Sequence, residues 1–397
     1  MATSAKPALV SRAYLLPFVL ITSLFFLWGF ARSILDVLNK HFQDALDLSK
    51  TESAMIQVMV YSAYFLVAIP AGLFISKYGY RKGVVCGLLL FAAGAALFIP
   101  SESVMSFACF LGSLFVLGCG LVFLETAANP YAAGLGDPRT GASRLNLSQA
   151  FNGLGCIFGP LVGAEVLFKE GSTSGVALPY AVMGAIVLVI ALVFTRVNLP
   201  EINRTADSEA SKVKATDLWK HRAFTFGLFA IFCYEIAEIS INSFFINYIT
   251  DDGTVTPHEA AMLLSICGLG LFFAGRVVGS LIMSRVRAQL VLLVCAAATV
   301  VCTILVTLNL GAASRLALYA CYLFESIMFP TIFALSVGGL NSYLTKRAAS
   351  FLMMSPIGGA VGTLLMGYAA DTLSMSTAFI VPMAGYAVVL GYALSRK

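Results

Sequence analysis

The chain has 397 residues, of which 59% are hydrophobic and only 11% charged. A soluble domain carries about 25% charged residues, so this composition excludes an ordinary soluble fold and points to a membrane protein. The net charge of +5 comes from basic residues scattered through short polar segments, not gathered in a patch, which excludes nucleic acid as a partner.

Lys6 and Arg12 precede an apolar run from Tyr14 to Leu38, too long for a signal core and without a small-residue cleavage site. This start reads as a first membrane span. Twelve spans are predicted, near residues 14–38, 54–76, 83–100, 104–132, 146–168, 178–197, 223–249, 260–284, 288–310, 315–343, 350–370 and 376–394. Lipid offers the backbone no hydrogen bonds, so each span must be a helix that closes its own. The longest polar stretch, 198–221, divides the spans six and six. It reads as a cytoplasmic linker between an N-terminal bundle, 1–197, and a C-terminal bundle, 222–397. With both termini in the cytoplasm, nineteen of the 25 Lys and Arg residues fall on the cytoplasmic side and four outside, with Arg32 and Arg276 inside spans. That is the bias of the positive-inside rule, and a missed or invented span would blur it. The nine cysteines lie in apolar stretches without a C-x-x-C pair, which points to neither zinc nor a redox couple.

Two segments repeat across the halves. Glu125 stands five residues before Pro130 in span four, and Glu325 five before Pro330 in span ten. Pro70–Lys77 closes span two and Val278–Arg285 closes span eight, each passing small residues into a serine and a basic residue. Six is an even number of spans, so the halves share one orientation, a parallel repeat about the membrane normal.

A charge at mid-bilayer costs about 2.5–3.5 kcal/mol on insertion scales and by default marks a functional site. The deep acids are Asp36 on span one, Glu125 on span four, Glu235 and Glu238 on span seven, and Glu325 on span ten; Glu165 lies near the outer end of span five. This distribution predicts one polar cavity lined by spans one, four, seven and ten, the alternative being structural pairing within each half. Glu235, Glu238 and Asn242 are spaced to share a helix face. That face starts roughly 20 Å from the cytoplasmic end, at 1.5 Å per residue. Asn129 follows Glu125 by one turn, and Asn146, Gln149 and Asn152 run along span five. Carboxylates and amides with few buried cations suit a neutral polyhydroxy ligand better than an anion. Trp28, with Phe26 and Phe30, offers a ring platform or else belongs to the core or the lipid face. A carboxylate in a desolvated cavity can exchange a proton near neutral pH, which makes Asp36 and Glu125 the candidates for proton coupling. Arg32 either pairs with Asp36, four residues on, or snorkels outward. Arg276 can pair with Glu325, which would make that acid structural.

These residues resemble the major facilitator superfamily, and within it the fucose–galactose–glucose–proton symporter family. The resemblance spans nearly the whole chain. It is carried by Ser23-Leu24-Phe25-Phe26-Leu27-Trp28, by Leu124-Glu125-Thr126-Ala127-Ala128-Asn129-Pro130, by Arg144-Leu145-Asn146-Leu147-Ser148-Gln149 and by Pro330-Thr331-Ile332-Phe333. The loop from Gly72 to Lys82 is a weaker match, because Ser76 stands where the superfamily usually has Asp. The resemblance implies an all-α membrane fold of two six-helix bundles that rock about a central site. It places proton coupling on Asp36, coupling and sugar binding on Glu125, and sugar-binding amides on Gln149 and Asn152. Two features depart from the fucose carriers. They lack acids where Glu235 and Glu238 stand and have an apolar residue where Glu325 stands. The more acidic C-terminal half points to an amino sugar, another cationic solute, or sodium as coupling ion. Gly155-x-x-x-Gly159-Pro160-x-x-Gly163 partly matches drug–proton antiporters, or else serves close packing.

The expectation is therefore proton-coupled uptake of a monosaccharide by alternating access. The sugar is a hexose, deoxyhexose or amino sugar, bound by Trp28, Glu125, Asn129, Gln149, Asn152, Glu235, Glu238, Asn242 and Glu325. The alternatives are sodium-coupled symport and export of a cationic solute by proton antiport. No enzyme is expected, since no metal cluster, nucleotide loop or nucleophile–base pair can be placed. No cofactor is expected beyond the coupling ion, H+ or alternatively Na+. The expected partners are a sugar and the lipid bilayer, with a monomer in a bacterial inner membrane.

Overall fold

The computed structural model describes residues 10, 12–104, 106–136, 141–168, 177–197, 215–283, 285–338, 340, 344, 348–349 and 351–396. Most of the expected linker, 198–214, lies outside the described residues. Among the described residues the chain is helical, without a strand. The helices are α1 (Leu15–Leu46), α2 (Lys50–Ser53), α3 (Met55–Tyr78), α4 (Tyr80–Val104), α5 (Phe107–Gly134), α6 (Gly141–Leu167), α7 (Ala177–Arg196) and α8 (Arg222–Thr250). They continue as α9 (Pro257–Leu263), α10 (Gly270–Met283), α11 (Ala288–Thr307), α12 (Ala312–Glu325), α13 (Met328–Val337), α14 (Ile357–Thr372) and α15 (Ile380–Leu394).

Each predicted span is carried by one helix or by a pair in line. Eleven are at least 18 residues long and apolar enough to cross a bilayer. The eleventh in order, α14, has 16 residues and follows a turn at Met353–Pro356. Spans two and eight open alike. Ser49 caps α2 in a capping box with Glu52, and Thr256 caps α9 in one with Glu259. In each, the hydroxyl accepts from the third backbone N–H and the glutamate accepts from the cap's own N–H, which satisfies two orphan donors. The two boxes add a third element to the internal repeat.

The Glu–Pro repeats fold differently. α5 runs unbroken through Glu125 and Pro130. The second copy is broken, with Glu325 the last residue of α12 and α13 starting at Met328.

By packing, the chain forms two compact units. One comprises Met1–Ser33, Leu66–Gly159 and Ser174–Arg204, and the other Ile34–Phe65, Pro160–Thr173 and Thr205–Lys397. α1, α3 and α6 each contribute to both. In the first unit α4 packs along α5 and α7. α1 crosses α6 so closely that a Cβ on Gly155 would run into the Phe26 carbonyl. Close packing is thus a sufficient reason for this glycine of the antiporter-like pattern.

In the second unit α8 is the central helix, covered by α13, α14 and α15. The C-terminal part of α1, from Ile34, and α2 also belong here. Asn39 Nδ2 donates to the Ser243 carbonyl at 2.7 Å, and Asn247 Nδ2 to Gln43 Oε1 at 2.5 Å. The Asp371 carboxylate on α14 accepts from Lys50 N at 3.1 Å, Thr51 N at 2.8 Å and Thr51 Oγ1 at 2.6 Å. A carboxylate on the first N–H groups of a helix is favoured by both hydrogen bonding and dipole.

Candidate functional site

In the first unit, Glu125 is half-buried on α5, one turn before Asn129. Across to α6, Gln149 Nε2 donates to Asn129 Oδ1 at 3.2 Å. The structure therefore brings together three of the residues read from the sequence, a carboxylate and two amides, on adjoining helices. This bond uses only part of each amide's two donors and acceptor oxygen, the kind of valence a sugar hydroxyl needs. Asn152 is employed differently. Its Nδ2 donates to the Phe25 carbonyl at 3.2 Å, which ties α6 to α1. The Thr22 and Ser148 hydroxyls meet at 3.0 Å between the same two helices. The side chain of Asn146 lies outside the described residues.

Trp28 is 4% exposed and packs on Phe25 with ring centroids 4.2 Å apart. Its indole is a core ring here, whereas Phe26 and Phe30 are half-buried and stack at 6.5 Å. Arg144, counted with the cytoplasmic loops in the sequence, is fully buried in α6. Its Nε donates to the Ala132 carbonyl at 3.2 Å and Nη2 to that of Ala133 at 2.6 Å. It caps the end of α5, the helix that carries Glu125.

In the second unit, Asp36 is 7% exposed and accepts from Gln57 Nε2 on α3 at 3.1 Å. Arg32 is half-buried one turn earlier on α1. On α8, Glu235 is buried, Glu238 half-buried and Asn242 buried. Asn242 Nδ2 faces Glu238 Oε1 at 3.5 Å, while its Oδ1 is buried without a hydrogen bond. Glu325 is fully buried at the end of α12. Its Oε2 accepts from the Tyr386 hydroxyl on α15, and its Oε1 has no donor. The Tyr322 hydroxyl, one turn before Glu325, is buried without a partner and within electrostatic reach of Glu325, Asp36 and Glu238. Tyr234 on α8 is within reach of Glu238, Glu325 and Glu235. So acids of spans one, seven and ten lie within electrostatic reach of Tyr322, and acids of spans seven and ten of Tyr234, in one compact unit.

The expected pairing of Arg276 with Glu325 is corrected. Arg276 Nε donates to the Ser326 carbonyl at 3.2 Å and its guanidinium lies over the Phe272 ring, 4.7 Å from the centroid. The reason is Pro330. It lacks the N–H that would reach the carbonyl four residues back, which is that of Ser326. In lipid a bare carbonyl is costly, and the arginine supplies the missing donor.

Sequence reasoning missed Gln57, Tyr322 and Tyr386. Gln57 had a signal, as the one amide in the apolar run of span two, and Tyr322 had another, one turn before a membrane glutamate. Tyr386 had none, because only the packing of α15 brings it to Glu325.

A helical bundle of this kind, with membrane carboxylates and amides facing one another, defines a secondary transporter. The sequence matches the Major Facilitator Superfamily over residues 21–354. The chain belongs to that superfamily and is a membrane transporter, not an enzyme. It is 34% identical over 382 residues to a glucose/galactose transporter of Brucella abortus, covering 94% of this chain and 92% of that one. It is 33% identical over 423 residues to the L-fucose-proton symporter of Escherichia coli, covering 99% and 95%. A crystal structure of the Escherichia coli fucose:proton symporter matches with a TM-score of 0.73 at 32% identity, over 97% of this chain and all of that one.

Proposed function

We propose that this transporter takes up a monosaccharide by proton-coupled symport, as a monomer in a bacterial inner membrane with both termini in the cytoplasm. The observation that carries the reading is the Gln149–Asn129 amide pair beside Glu125. It lies in a chain about one-third identical to carriers named for glucose, galactose and L-fucose. Amides and a carboxylate donate to and accept from the hydroxyls of a neutral sugar, and none of them is suited to clamping an anion. Glu125 links the sugar to the proton, because protonation changes the hydrogen bonds it offers the ligand. Asp36, held by Gln57 within the second unit, is the other proton carrier. Each ion or sugar bound shifts the affinity for the other by a common coupling free energy.

One observation favours an amino sugar over a neutral hexose. Glu325 Oε1 and Asn242 Oδ1 are buried acceptors without donors, and Arg276, within reach of Tyr234, is committed to Ser326. An ammonium or N–H on the ligand would supply what these acceptors lack. Sodium as coupling ion and proton-driven export of a cation rest on the same acidic surface.

Counterflow in proteoliposomes tests the reading, with hexoses, deoxyhexoses and amino sugars, each with and without sodium. Exchange of at least one sugar, unaffected by sodium and stimulated by an inward proton gradient, is the expected result. Exchange that requires sodium, or a proton gradient that drives the solute outward, would overturn it.

A further inference from the structure

We propose that the groove between the start of α4 and the end of α7 is a binding site for an anionic phospholipid. The groove has a volume of about 670 Å3. Its walls are Val85, Cys86, Leu89 and Leu90 of α4, and its mouth is Arg81 and Lys82, with Thr195 of α7 on the opposite side. Polarity is thus graded along one helix. From Arg81 to Leu90 the groove passes in about 14 Å, at 1.5 Å per residue, from two cations to aliphatic side chains. A phospholipid has the same order, a phosphate and then an acyl chain.

The mouth is built for an anion. Arg81 Nε donates to the Phe194 carbonyl at 3.1 Å and Nη2 to that of Thr195, which fixes the guanidinium against the last turn of α7. Its Nη1 edge makes no hydrogen bond among the described residues. The Lys82 ammonium lies over the Tyr78 ring, 5.7 Å from the centroid, and Lys77 covers the same ring at 5.2 Å. Among the described residues none of these three cations has a carboxylate partner. Arg81 and Lys82 also stand in the first turn of α4, whose unpaired N–H groups and positive dipole end add to the field. Basic pockets between membrane helices on the cytoplasmic side are where anionic head groups dock, and the basic loops mark this as that side. A zwitterionic lipid would bring its ammonium beside Lys77 and Lys82, with no acid among the residues that line the groove to receive it.

Native mass spectrometry of the detergent-purified protein, titrated with phosphatidylglycerol, phosphatidylcholine or inorganic phosphate, tests this. Phosphatidylglycerol is expected to be retained preferentially over phosphatidylcholine. Lys82→Gln, an exposed position, should weaken that retention about five-fold, the share of one basic residue near a membrane surface. Leu89→Trp, on the exposed groove wall, should abolish it by filling the chain's place. Equal retention of both lipids, or wild-type retention in both variants, overturns the proposal. Displacement of phosphatidylglycerol by millimolar inorganic phosphate also overturns it, because the site would then read only the anion.

Discussion

Arg276 donates to the main-chain carbonyl of Ser326, 3.2 Å away, and not to the neighbouring carboxylate of Glu325. The residue that looked like half of an ion pair serves the backbone. A proline one turn later leaves that carbonyl bare, and arginine fills the gap. Glu325 is thereby left to Tyr386, in a fully buried setting.

If Arg276 acts as this cap, Arg276→Met should lower stability by about 1–3 kcal/mol, the cost of a buried acceptor without a donor. Adding Pro330→Ala restores an N–H to the Ser326 carbonyl and should recover most of the loss. Thermal unfolding of the three proteins in one detergent checks it. A double variant no more stable than the single one would show that the arginine does something else.

Glu125→Gln and Asp36→Asn should each abolish accumulation of sugar against its gradient, a fall of about tenfold or more for a coupling of 1–3 kcal/mol. Sugar-for-sugar exchange without net proton movement should survive in at least one of them. Paired uptake and counterflow assays separate coupling from binding. Normal accumulation by Glu125→Gln would remove that residue from the coupling scheme.

The acceptors around Glu325 bear on specificity. Glu325→Leu should reduce amino-sugar exchange about tenfold or more relative to a neutral hexose, since the loss of one matched polar contact discriminates at that scale. Competition of the two sugars in counterflow gives the ratio directly. An unchanged ratio would place Glu325 outside substrate selection.

Thr51 gives Asp371 two of its three hydrogen bonds, across α2 and α14. If the protein transports by alternating access, this tie between spans two and eleven has to break and re-form. Oxidation of a Thr51→Cys/Asp371→Cys pair should stop transport, and reductant should restore it. Full transport by the oxidised, cross-linked protein would show that this contact stays closed throughout the cycle.

Gly155 has no room for a methyl group against the Phe26 carbonyl. Gly155→Ala should destabilise the protein by about 1–3 kcal/mol, as overpacking does, and α1 and α6 would have to separate. A loss of coupling at unchanged thermal stability would instead favour the antiporter-like reading of the glycine pattern.

Much of the architecture was legible in the residues alone. The twelve spans follow from apolar runs, because in lipid each run must satisfy its own backbone locally and leaves a local signature. The acids of spans one, four, seven and ten were visible for the converse reason, since a carboxylate in such a run is rare and costly. The capping boxes at Ser49 and Thr256 also carry a fixed four-residue spacing, which the reading of the sequence passed over. Partnership was not legible. That Asn152 serves the Phe25 backbone and that Tyr386 reaches Glu325 depend on the crossing of helices far apart in the chain. Such crossings are set by packing of whole helix faces, and no spacing in the sequence records them. Tertiary structure alone decided which buried polar groups are spent on the backbone and which are not.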